Sequence, residues 1–228
     1  MSKHRLSLLA LVAIVAGCGG GSNTPPRVTE PPTTTAAETM PLTVFRVEQG
    51  ALQARMVQVP RTRAVAAAAL TALGIDAPVT IEGGTARVQS SDASEEQVAE
   101  IVYTLTQFPS VQRVDVAGRS GLTRADVVAF VPVILIEQPT AGSSVPPTFT
   151  VSGTASVFEA TLVVELRRNG AVLSKQTVTA SEGAPARGTF SATVRAPSPG
   201  PAAVVAYAPS AEDGTPQHEQ QVAVTVTP

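Results

Sequence analysis

The 228 residues carry a formal net charge of −2, with 15% charged side chains, no Trp and a single Cys. Sixteen Lys and Arg are scattered and form no stripe able to neutralise a phosphate backbone, so nucleic acid is not an expected partner. One thiol excludes an internal disulfide and a thiolate metal site, and the abundance of Thr, Val, Ala, Pro and Gly predicts short strands joined by turns.

The chain opens with Lys3 and Arg5 ahead of an apolar run from Leu6 to Val15, broken only by Ser7. That run is too short to span a bilayer as a mature helix and reads as a signal peptide, residues 1–17. It ends in Val15, Ala16, Gly17 and Cys18, small residues followed by a thiol, a run similar to the bacterial lipobox. The resemblance implies cleavage between Gly17 and Cys18 and attachment of diacylglycerol to the Cys18 sulfur. Two acyl chains suffice for stable anchoring, at about 0.8 kcal/mol per buried methylene. The expectation is a chain lipid-anchored to the extracytoplasmic face of a membrane. Residues 18–41, three consecutive Gly and then Pro25, Pro26, Pro31 and Pro32 among Thr, read as a disordered, lipidated linker with almost nothing to bury.

Residues 42–118 carry alternating and helical patterns in turn. Leu42 to Glu48 and Leu52 to Val59 predict a strand pair across Gly50, and Arg61 to Leu73 predicts an alanine-rich helix with Val65, Ala69, Leu70 and Leu73 on one face, closed by Gly74. Pro78 to Ile81 and Thr85 to Gln89 flank Gly83 and Gly84, the makings of a hairpin. Ser94 with Gln97 predicts a capping box, and Glu95 and Glu96 sit where the helix dipole favours negative charge. Val98, Ile101, Val102, Leu105 and Phe108 follow at helical spacing. Pro109 ends the helix, and Val111, Val114 and Val116 start a strand. The order ββαββαβ predicts an α+β layer with helices on one face.

Residues 119–131 read as a connector with a helical turn started by Thr123 and carrying Asp126. From residue 132 to 228 about seven Val-, Thr- and Phe-rich runs alternate with turn clusters, which predicts an antiparallel immunoglobulin-like β-sandwich. Asn169-Gly170 is the strongest local signal, favouring a type I′ hairpin between Leu162–Arg168 and Ala171–Thr179.

Two stretches resemble known families. Val88 to Val116, containing AEIVYTLTQFPSVQRVDV, resembles the GerM-type domain of sporulation and spore germination lipoproteins, although the chain between Leu73 and Val79 is shorter than the family pattern. ILIEQPTAGSSV and FTVSGTASVFEATLVVEL, with Pro139, Gly142, Val145, Gly153, Ala155, Phe158 and Glu159 in order, resemble the immunoglobulin-like domain of bacterial spore germination. The residues themselves give reasons for those positions. Gly153 and Ala155 bracket a bend where bulk would strike the facing sheet. Phe158 reads as a core plug, and Glu159 either accepts backbone N–H bonds at the bend or lines a ligand site.

Catalytic and metal chemistry find little footing. His218 is the only histidine after the signal peptide, in a polar approach to the last strand, and no Ser or Cys nucleophile has a motif around it. Zinc would need three ligands that the sequence does not supply. Glu95, Glu96 and Glu100 lie opposite the apolar helix stripe as surface charge, and Glu212-Asp213-Gly214 reads as a solvated turn. The sequence therefore predicts no enzyme, no cofactor and no metal, but an envelope interaction or scaffold module that pairs with a protein partner or with itself. The alternatives are a cell-wall glycan or small-solute binder, disfavoured because most of the six Phe and two Tyr sit at core-like positions, and an uncharacterised hydrolase.

Overall fold

The computed structural model describes residues 38–228, which belong to one contiguous unit; Gly17, Cys18 and the signal peptide lie outside them. Among the described residues no helix is long and apolar enough to cross a membrane.

The first lobe starts with β1 (Thr39–Glu48) and β2 (Ala51–Pro60), an antiparallel pair that forms its own two-stranded sheet. Strand β1 begins at Thr39 rather than at Leu42, so residues 39–41 are ladder and not linker. The predicted helix shortens to α1 (Val65–Ala72), because Ala64 at its start has non-helical backbone. Strands β3 (Val79–Glu82) and β4 (Thr85–Val88) form the hairpin expected around Gly83 and Gly84. Helix α2 (Glu95–Leu105) then crosses to β5 (Arg113–Val116), which lies parallel to β4. Such a crossover is what parallel neighbours require.

Helix α2 starts as its sequence implies. Ser94 Oγ accepts from the Gln97 N–H at 3.2 Å, and the Gln97 side chain returns a bond to the Ser94 N–H at 3.0 Å. Its apolar face, Val98, Ile101, Val102 and Leu105, is fully buried. Glu100 is not free surface charge, since its Oε1 accepts from the Val47 N–H at 2.8 Å and ties β1 to the helix.

Residues 119–131 differ from a plain connector. Arg119–Leu122 forms β6, the fourth strand of the sheet β3-β4-β5-β6. It is turned back from β5 by Ala117 (φ 51°) and Gly118 (φ 74°), a non-glycine residue in the left-handed region that composition did not flag. The helical turn follows at Arg124–Phe130, capped by Thr123 and Asp126 as expected.

The second lobe is a two-sheet sandwich of eight strands. One sheet has the order β12-β9-β7 and the other β11-β10-β13-β14-β8, drawn from β7 (Ile134–Gln138), β8 (Ser143–Val145), β9 (Thr148–Ala155), β10 (Thr161–Arg168), β11 (Ala171–Thr179), β12 (Gly188–Arg195), β13 (Gly200–Pro209) and β14 (Pro216–Val226). Strand β8 pairs parallel with β14. Asn169 (φ 49°) and Gly170 (φ 81°) form the hairpin between β10 and β11. The chain is thus α+β, a small mixed lobe followed by an antiparallel-dominated sandwich.

Strand β7 joins the lobes. Ile134 and Ile136 face the sandwich core, whereas Leu135, 1% exposed, packs into the first lobe's core with Phe45 and Tyr103. Both faces of this strand are covered at Ile134, Leu135 and Ile136, which is why these three residues are apolar in succession rather than alternating.

Candidate functional site

The segment singled out in the sequence, Val157 to Ala160, is the passage from β9 in one sheet to β10 in the other. It is held from several sides. Ser156 N–H donates to Val133 O at 2.8 Å, Ala184 N–H to Val157 O at 2.9 Å, and Ala180 N–H to Ala160 O at 2.8 Å. Gly183 lies so close that a Cβ there would stand 2.8 Å from the Ala160 nitrogen. Within this clamp Glu159 (φ 52°) and Ala160 (φ 56°) both take left-handed backbone, a conformation costing about 1–2 kcal/mol for each residue bearing a Cβ.

The consequence falls on Phe158. Val157 is buried, but the left-handed step turns Phe158 outward until it is 73% exposed. It is not a core plug. The two left-handed residues that follow it, Glu159 and Ala160, carry no glycine to announce the turn. Glu159 is exposed as well, and among the described residues no hydrogen bond or ion pair engages its carboxylate, so it does not cap the bend.

Phe158 stands beside a cleft of about 480 Å³ whose lining includes Val133, Val157, Glu159, Ala208, Pro209 and His218. His218, exposed at the start of β14, is a further non-glycine residue with left-handed backbone (φ 55°). The structure therefore brings His218, which is distant in the chain, to the adjacent residues Phe158 and Glu159. The adjoining turn is built as expected: Asp213 Oδ1 accepts from the Thr215 N–H at 3.0 Å and from its hydroxyl at 2.8 Å, with Gly214 at φ 73°. Among the described residues no cluster of three or more His, Cys, Asp or Glu could hold a metal ion.

Two polar groupings were not legible in the sequence. On the outer face of the five-stranded sheet, Glu165 is 3% exposed. Its carboxylate accepts from the Tyr207 hydroxyl at 2.9 Å and Arg167 Nε at 2.7 Å, with Lys175 Nζ at 3.3 Å. Burial pushes this carboxyl up, but the three donors outweigh it and hold it below its ordinary value. At the junction of the lobes, the Arg124 guanidinium lies 4.5 Å from the Tyr103 ring centre and 2.9 Å from Glu137. Burial raises the Tyr103 phenol and lowers the half-buried Arg187 guanidinium beside it, whose nitrogens donate to Pro132 O at 2.7 Å and Thr154 Oγ1 at 3.2 Å. All of these groups have partners inside the chain. On α2, Glu95 is likewise paired with Arg119, whose hydrogen bond lowers the Glu95 carboxyl.

With this geometry in place, comparison with known proteins decides one point. Residues 133–215 match the family model of the immunoglobulin-like domain of bacterial spore germination. Phe158, Glu159 and the turn at Glu212-Asp213-Gly214 all fall within that stretch. Among solved structures the chain is similar to the tandem GerMN domains of the sporulation protein GerM from Bacillus subtilis, at 17% identity and TM-score 0.33 over 69% of this chain and 61% of that one. It is also similar to CopC from Methylosinus trichosporium OB3b, at 16% identity and TM-score 0.28 over 41% of this chain and 92% of that one. An engineered protein matches at 15% identity and TM-score 0.32 over 59% of this chain, which spans 36% of that protein's length. No curated protein matches the chain.

Proposed function

We propose that this protein is a non-enzymatic interaction module of the bacterial envelope, related to spore germination and sporulation proteins and held to the outer face of a membrane by lipid on Cys18. Residues 1–17 are the signal peptide in this reading, residues 18 to about 38 the tether, and the two lobes are the displayed part. One observation carries it: Phe158 stands 73% exposed beside a cleft on backbone whose two left-handed residues are held in place by the surrounding loops. An aromatic side chain that the fold spends strain to keep in water is a candidate anchor for a partner protein.

The test is native extraction of the envelope followed by sizing of the complexes that contain the protein. Phe158→Ala removes an exposed ring and no core contact, so the fold is retained. The variant is expected to migrate in smaller species than the wild type, while Cys18→Ser is expected to appear in the soluble fraction. Unchanged complex size in the Phe158→Ala variant overturns the role of the cleft, and membrane retention of Cys18→Ser overturns the anchor.

A further inference from the structure

The charge around the cleft points to the chemistry of its occupant; this inference rests on the cleft being the interaction surface. The lining sets apolar Val133, Val157, Ala208 and Pro209 beside the Phe158 ring, with polar Ser156, Thr161, Ser210 and Gln217 among them. The rim is acidic. Glu159 lines the cleft directly. Glu212 and Asp213 directly follow its lining residues Ser210 and Ala211, and Glu182 sits in the loop whose Ala184 lines it. Among the described residues none of these four acids is in an ion pair.

Basic groups are fewer at this end. The Arg187 guanidinium keeps its charge at this end but is half-buried on Pro132 O and Thr154 Oγ1, and His218 is the one base on the lining. The other end of the sandwich has the opposite character, since Arg168 ends β10 beside the Asn169-Gly170 turn and Arg195 ends β12. The sandwich is thus polarised along its strands, acidic at the cleft and basic at the far hairpin.

We infer that the cleft binds a cationic, apolar peptide segment of a partner protein, seating an aliphatic side chain against Phe158 and placing arginine or lysine beside Glu159 and the Glu212-Asp213 turn. Potentials of opposite sign steer such encounters and suppress partners of the wrong charge.

The experiment is fluorescence anisotropy on the whole chain in detergent with two labelled heptapeptides, one alternating arginine with leucine and the other glutamate with leucine. The arginine–leucine peptide is expected to bind and to weaken as salt is raised. Phe158→Ala is expected to weaken it about tenfold, and Glu159→Gln with Glu212→Gln to flatten the salt dependence. Val172→Ala, at an exposed residue beside the far hairpin, is expected to leave binding unchanged. Equal binding of both peptides, or of the glutamate–leucine peptide alone, with loss in Phe158→Ala, overturns the charge assignment and leaves the cleft as an interaction surface. Binding insensitive to Phe158→Ala overturns both. Displacement of the peptide by soluble peptidoglycan fragments, or by unlabelled protein self-associating at low salt, overturns the peptide as occupant.

Discussion

Replacing Gly153 with Ala tests how the two lobes are joined. Gly153 sits on β9 opposite Ile136 of β7, where the ladder is irregular before Gln138. A Cβ built there would lie 1.9 Å from the Leu135 carbonyl oxygen and 3.1 Å from the Glu137 nitrogen. The obstacle is therefore the backbone of the neighbouring strand in the same sheet, not the facing sheet that the sequence suggested. To reach even a tight contact the strands must part by about 1 Å, enough to stretch a ladder hydrogen bond of normal length past its working range. Losing about two such bonds at roughly 1 kcal/mol each, with an overpacking cost of about 1–3 kcal/mol, gives a loss of about 3–5 kcal/mol. Urea unfolding followed by circular dichroism measures it, with Gly142→Ala as the reference. That position has φ +82° and nothing within 4 Å of a Cβ, so only the left-handed penalty of about 1–2 kcal/mol applies. A Gly153→Ala variant no less stable than Gly142→Ala would refute the reasoning.

Two further outcomes follow from the packing and the electrostatics. Leu135→Ala is expected to cost about 3 kcal/mol and, because this sandwich residue fills the first lobe's core, to shift the unfolding of both lobes together; probes in the two lobes reporting separate transitions would contradict it. Glu165, held below its ordinary value near 4.5, contributes stability that is complete above the unfolded-state value and is lost as pH falls through the lower folded-state value. Glu165→Gln is expected to cost about 2 kcal/mol at neutral pH and to flatten the decline of stability below pH of about 4.5, measured by denaturation across an acid pH series.

The elements legible from sequence were those specified by neighbours in the chain. Ser94 and Gln97 meet across three residues, and Asn169-Gly170 needs only its own backbone preference, so the α2 start and the β10–β11 hairpin stand where local chemistry put them. Strand β6 was missed because its burial pattern is exposed on three of four residues and its turn rests on Ala117, a residue without intrinsic turn preference. The Glu165 network was missed because its Tyr207 partner is 42 residues away, although Val163, Glu165 and Arg167 share one strand face. The site divides in the same way. Phe158 and Glu159 stood out through their setting at a bend, but which way Phe158 points depends on the clamp of residues 180–184 and on a left-handed step that no glycine announces. His218 joins them only through the turn that brings β14 back beside β13.

The most direct measurement of the central claim is photo-crosslinking in intact cells from a benzophenone amino acid placed at position 158, compared with the same probe at exposed Val172 near the opposite end of the sandwich. The account expects a discrete envelope-protein adduct from position 158 that is absent from position 172. The same adducts from both positions, or none from position 158, would contradict it.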